Sequence, residues 1–192
     1  MSKARPSLVA SSLFVGAILV SCSGSSDVDT QPTTTAESTV PTAPPCEGVR
    51  TCLLPWPDDR LTIPDPSTDT GRRLALPAAG APVNVDGVVM DLSDQNRADG
   101  FSPNSAIVFA ADGVDLAASG IPDSTAIEKS IESSMATSIV DDATGEPVPF
   151  WGELDGQSGL VTLRPAVSLT EGHTFTVTIG GLVDEVGAPI ML

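Results

Sequence analysis

Four prolines in the thirteen residues LPWPDDRLTIPDP set the first limit on what this chain can fold into. Pro55, Pro57, Pro64 and Pro66 each lack a backbone N–H and push the preceding residue toward extended backbone. Helix is therefore excluded here, and turns or short strands are expected. The same punctuation runs on: 17 Pro and 17 Gly are spread over 192 residues, there is no Tyr, and long helical periodicity is scarce. Such a chain reads as loop-rich and mostly β. Trp56, inside the proline run, is expected to anchor this arm by burying its ring against the main body.

Strand signals sharpen beyond Phe101. AIVFAA, residues 106–111, has the short apolar pattern of a buried strand. Ser138-Ile139-Val140 leads through the turn cluster DDATGE into PVPFWGEL, a hairpin signal. Residues 159–164, GLVTLR, form another strand. In HTFTVTI, Phe175, Val177 and Ile179 alternate with Thr174, Thr176 and Thr178, so one face goes to a core and the other carries β-branched polar residues. Between these, STAIEKSIESSM (residues 124–135) predicts a short helix with Ile127 and Ile131 one turn apart. DPSTDTG places Asp65 and Asp69 among hydroxyls, as a calcium loop does. The ligand register and terminal Glu of an EF-hand are missing, so a turn is the better reading. Several short strands with frequent turns predict a β-sandwich.

The first 45 residues read as an address and a spacer. Lys3 and Arg5 precede SLVASSLFVGAILV, which at fourteen residues is short of the roughly 20 that a membrane-crossing helix needs. It fits the apolar region of a signal peptide. Leu19-Val20-Ser21-Cys22 resembles a bacterial lipobox. The resemblance implies lipid transfer to the Cys22 thiol and cleavage between Ser21 and Cys22; an ordinary signal peptide is the alternative. Ser23, not Asp, follows the cysteine, so in a two-membrane bacterium the usual inner-membrane retention signal is missing. Residues 23–45, SGSSDVDTQPTTTAESTVPTAPP, lack the apolar side chains to offset ordering entropy and are expected to be a disordered tether. Its Ser/Thr/Pro content also suits O-glycosylation.

Cys46 and Cys52 bracket EGVRT. With Cys22 assigned to lipid, the remaining pair is even and close, and an exported protein meets a compartment that permits disulfides. A bridge would close a seven-residue loop, worth about 2 to 2.5 kcal/mol by loop entropy. Two free thiols are the alternative, since the spacing suits neither a C-x-x-C redox pair nor a metal site, and the only His, His173, is distant.

The formal charge is −16. Lys3 and Arg5 are the only charged residues before Cys22, so 7 basic and 25 acidic residues, −18, lie beyond it. That surface repels phosphate backbones and excludes nucleic acid as a partner.

LRPAVSLTEGHTFTVTIGGLVDEVGAPI, residues 163–190, resembles the closing half of the bacterial Ig-like domains of surface-layer proteins, through Pro165, Leu169, Gly172, Phe175, Asp184 and Gly187. The preceding FSPNSAIVFAADGVDL and SIVDDATGEPVPF suit its opening strands, and the last strand reads as cut short at Leu192. A second stretch is similar to the N-terminal region of bacterial surface lipases and related hydrolase lipoproteins, through Leu54, Pro55, Trp56, Pro57 and Asp58 and through Asp99, Gly100, Phe101 and Ser102. In those proteins a hydrolase domain follows. The expected organisation is a signal peptide over 1–21, a lipid-anchored linker over 22–45, a Pro-rich irregular arm with a disulfide over 46–99, and an Ig-like β-sandwich over 100–192.

Catalytic residues are not evident. A serine hydrolase elbow reads G-x-S-x-G. Gly100-Phe101-Ser102-Pro103-Asn104 fails at its last position, and in Gly156-Gln157-Ser158-Gly159 the second Gly arrives one residue early. His173, beside Gly172, is expected at a surface turn. Glu153 and Asp155 flank a turn and are expected to be solvated, not paired for glycoside chemistry. No cofactor or metal site is expected. The chain thus reads as a non-enzymatic, lipid-anchored, extracytoplasmic module on the outer face of the cell membrane, or in the outer membrane of a cell that has one. Its partners would be the membrane and a cell-surface protein. The alternative is an accessory region of a secreted lipase or esterase whose catalytic domain is absent from this sequence, and a third reading is a lone esterase acting through Ser102.

Overall fold

The computed structural model describes residues 46–192. Ser21, Cys22, the signal peptide and the linker up to residue 45 lie outside the described residues. Regular structure is mostly strand, with few and short helices and several antiparallel sheets.

The arm is more ordered than its prolines suggest. Cys46 and Cys52 are disulfide-bonded, and a helix that the sequence did not announce, α1 (Gly48–Leu53), fills the closed loop. The bridge brings the two Cα atoms to 5.1 Å, which confines the intervening residues to one tight coil. Glu47 N–H donates to Thr51 Oγ1 at 3.0 Å, and that hydroxyl donates back to Glu47 O at 2.5 Å. Cys52 is buried against the 3-10 turn Ala78–Gly80; a Cβ on Gly80 would come within 2.7 Å of the Cys52 Cβ. Next come the paired strands β1 (Thr62–Pro64) and β2 (Arg72–Leu74). Leu61, Leu76, Ala81 and Leu92 then make a small apolar core, with Leu53, Trp56 and Phe101 packed on it. The expected irregular arm thus carries a sheet and a core of its own.

The larger body holds β3 (Ile107–Ala110), β4 (Ser138–Asp141), β5 (Phe150–Asp155), β6 (Leu160–Pro165) and β7 (Phe175–Thr178). One antiparallel sheet runs β3-β6-β5 and another pairs β4 with β7. Ile107, Phe109, Phe150, Val161 and Leu163 of the first sheet meet Ile139 of the second in one buried cluster, flanked by Phe175 and Val177. The alternation expected for 174–179 holds, since Phe175 and Val177 are half-buried while Thr176 and Thr178 are exposed.

Two expectations are corrected. Residues 139–148 do turn back as a hairpin, with Asp141 N–H donating to Glu146 O and Val148 N–H to Ile139 O. The following amide, on Phe150, donates to Ser130 Oγ at 2.9 Å instead of continuing that ladder, and β5 pairs with β6. The Ser124–Met135 segment is no α-helix: a 3-10 helix spans Ile127–Ile131. Three residues per turn put Ile127 and Ser130 on one face, so Ser130 is buried and Ile131 is half exposed.

Aspartate builds the turns. Asp58, Asp65, Asp91, Asp123, Asp141, Asp155 and Asp184 each accept the amide two residues on, as does Asn84. This Asx geometry replaces a backbone acceptor with a side-chain one. Much of the chain's acidity is therefore turn chemistry as well as solubilising surface.

Candidate functional site

Asp65, Glu153 and Asp155 are each committed to local partners. Asp65 accepts from Ser67 N–H at 2.9 Å, Ser67 Oγ at 2.5 Å and Arg73 Nε at 2.6 Å. Those bonds, led by the Ser67 hydroxyl, hold its pKa down to about 2. Glu153 accepts from Arg164 Nε at 2.8 Å and from Trp151 Nε1 at 3.0 Å, with Arg164 chiefly responsible for its lowered pKa. Asp155 accepts from Ser158 Oγ at 2.6 Å and Gln157 N–H at 3.0 Å, and the Ser158 bond leads in lowering its pKa. Glu153 and Asp155 thus serve one hairpin by separate contacts. Ser102 Oγ accepts from Asn104 N–H at 3.3 Å in a turn. Among the described residues, no group of three or more His, Cys, Asp or Glu side chains could hold a metal ion. No helix among them is long and apolar enough to cross a membrane.

His173 is exposed at the turn before β7, as expected, and it also holds a partner there. Its Nδ1 lies 2.8 Å from Asp141 Oδ2 and 3.0 Å from Oδ1, and the ring stacks with Phe175 at 6.4 Å between centroids. A carboxylate only accepts, so this contact places a proton on Nδ1. Asp141 is nearly buried, and its pKa is lowered, first by the His173 bond and further by the Ala143 and Thr144 amides, against burial. The two residues are 32 apart in sequence; they meet because β4 and β7 pair with Asp141 opposite Phe175. An Asp-oriented imidazole is two parts of a hydrolase site, but such a site also needs a nucleophile in contact with the base. The contacts of this pair join the end of β4 to the turn before β7, which is the work of a clasp.

The arm presents the other candidate. Residues 82–90, PVNVDGVVM, form a tight hairpin in which Asn84 N–H donates to Val88 O and Met90 N–H to Pro82 O. Val83, Val85, Val88, Val89 and Met90 are all exposed, Val85 completely. Beside the hairpin lies a shallow groove of about 220 Å³, walled by Leu76, Ala81, Val89, Met90 and Leu92. Nothing in the sequence reading flagged this surface; five apolar residues around an Asn-x-Asp-Gly turn were the available signal.

The arm and the larger body meet in a specific way. Trp56 N–H donates to Val108 O at 2.8 Å and Val108 N–H returns the bond to Trp56 O at 2.7 Å, along the free side of β3. The Trp56 ring stands edge-on to Phe101, 4.9 Å between centroids. Arg50 on α1 reaches Ser158 O at 2.8 Å and Asp112 Oδ2 at 2.6 Å. Trp56 thus joins the larger body through its backbone, while its ring, expected to bury against that body, packs with Phe101 on the arm's own core. No protein-family model, curated protein or solved structure matches this chain.

Proposed function

We propose that this chain is a lipid-anchored, extracytoplasmic module of the bacterial surface that presents or braces a partner and performs no catalysis itself. The observation that carries the reading is the Cys46–Cys52 bond. It suits an oxidising compartment, and it uses two of the three cysteines, leaving Cys22 for the lipid chemistry its LVSC setting resembles. Acyl chains contribute about 0.8 kcal/mol per buried methylene, and two or more make attachment stable. An Ig-like sandwich is the finer reading of the larger body. It is supported by the single apolar cluster to which the β3-β6-β5 sheet and β4 both contribute. Replacing the thiol tests the anchor: Cys22→Ser should leave the chain unprocessed or release it from membranes. Unchanged membrane partition together with unchanged mass would overturn it.

One observation favours the second reading, an accessory region of a lipase or esterase. The two motifs that carry the similarity, Leu54–Asp58 and Asp99–Ser102, converge on the Trp56–Phe101 contact. Sequencing the genomic DNA past the Leu192 codon separates the two readings. A reading frame that continues into a G-x-S-x-G segment favours the hydrolase; an unrelated gene removes it.

A further inference from the structure

We infer that the hairpin of residues 82–90 is a docking edge for an extended protein segment that alternates apolar and basic side chains. Its two strands hold each other through the Asn84–Val88 and Met90–Pro82 bonds, with Val83 opposite Val89. In an antiparallel pair, residues opposite each other between such bonds point their own N–H and C=O outward. Among the described residues, the amides of Val83 and Val89 have no hydrogen-bond partner. The hairpin therefore offers main-chain bonding edges, and the Val89 edge borders the apolar groove of Leu76, Ala81 and Leu92. A third strand added there would gain backbone bonds from the edge and side-chain contacts from the groove, as strand-addition ligands do.

Charge selects the occupant. Asp86 stands at the hairpin tip and Asp91 on the groove wall, with Asp94 close in sequence, its carboxylate 3.6 Å from Arg97. Inserting the tip into a bilayer would carry the Asp86 carboxylate into a medium that penalises charge, beside a headgroup layer that repels an acidic protein. Pairing with a second copy would set Asp86 and Asp91 against their own kind between two strongly acidic chains. A segment with Lys or Arg between apolar residues meets neither penalty and complements both features.

This names the surface for the presenting role proposed above, yet it stands on the hairpin and not on the anchor. The test uses the purified full chain carrying Cys22→Ser, so that binding reads the hairpin while membrane partition of the parent chain reads the anchor. The probe is the synthetic peptide Lys-Val-Lys-Val-Lys-Val-Lys, followed by calorimetry and by amide exchange over residues 82–91, with its Glu-Val counterpart as control. The lysine peptide is expected to bind and to slow exchange at Val83 or Val89, and the glutamate peptide is not. Val83→Thr with Val89→Thr keeps shape and charge; it is expected to weaken binding at least tenfold without moving Tm. Equal binding to that variant, or no binding, would overturn the inference. So would vesicle co-sedimentation that falls on Val85→Asp, or a dimer in sedimentation that the same change dissolves.

Discussion

Two hairpins one hundred residues apart have the same skeleton and opposite fates. Residues 82–90, PVNVDGVVM, and residues 182–190, LVDEVGAPI, share every backbone bond. Position 84 or 184 donates to 88 or 188, position 90 or 190 donates to 82 or 182, and Gly87 or Gly187 donates back to the Asx residue. Asn84 Oδ1 and Asp184 Oδ1 each accept two further amides, at 2.8 to 3.0 Å. Gly87 and Gly187 both have positive φ, 78° and 81°, where a Cβ is strained. Yet Leu182 is buried in the larger core and Ile190 packs on it, whereas Val83, Val85, Val88, Val89 and Met90 are all exposed. Turn geometry is thus settled within nine residues. Burial is settled by what the rest of the chain brings alongside.

The pair can be pulled apart experimentally. Leu182→Ala should destabilise the whole fold by about 2 to 5 kcal/mol, as emptied core sites do, read by urea unfolding; a loss under 1 kcal/mol would mean that this hairpin is not seated. Gly187→Ala should lower global stability by about 1 to 2 kcal/mol, the left-handed penalty. Gly87→Ala carries the same strain but should open only its own hairpin, raising exchange at Val88 and Met90 while the unfolding midpoint stays put. Asp184→Ala should cost about 1 kcal/mol and Asp184→Asn much less, because the amide keeps the accepting oxygen; equal losses would shift the credit from hydrogen bonds to charge.

The turn at Asp141 adds a pH arm. Its pKa is lowered in the folded state, so the stability it confers is present above the ordinary aspartate value of 3.8 and drains away as pH falls through the lower folded value. His173→Ala should shrink that acid-side loss in thermal melts from pH 5 down to pH 2, whereas Val85→Lys should leave its profile unchanged. Val88→Thr, on the free hairpin, should move stability by less than about 0.5 kcal/mol.

Local chemistry was legible in the sequence and partnership was not. The Phe175 and Val177 alternation, the strand ending at Pro165 and the DDATGE turn are each written within a few residues, and each stands in the structure. The expected staple is formed. The pairing of β4 with β7 is not local. It sets Ser138–Asp141 against Phe175–Thr178, and the His173–Asp141 clasp depends on the same pairing. The Ser130 bond to the Phe150 amide likewise spans twenty residues. The 3-10 helix at Ile127 misled for a related reason: two isoleucines four apart imitate an α-helical face, and only the buried Ser130 reveals the tighter coil.

The disulfide loop also has a mechanical meaning. Tension applied at Cys46 would cross the sulfur bridge directly to Cys52, so residues 47–51, most of α1, lie on a bypassed branch. The pull emerges through residues 53–55 onto the paired Trp56 and Val108 bonds, which lock the arm to β3. Those two bonds, with Arg50 holding Ser158 and Asp112 from the bypassed branch, make a shear joint between the arm and the larger body.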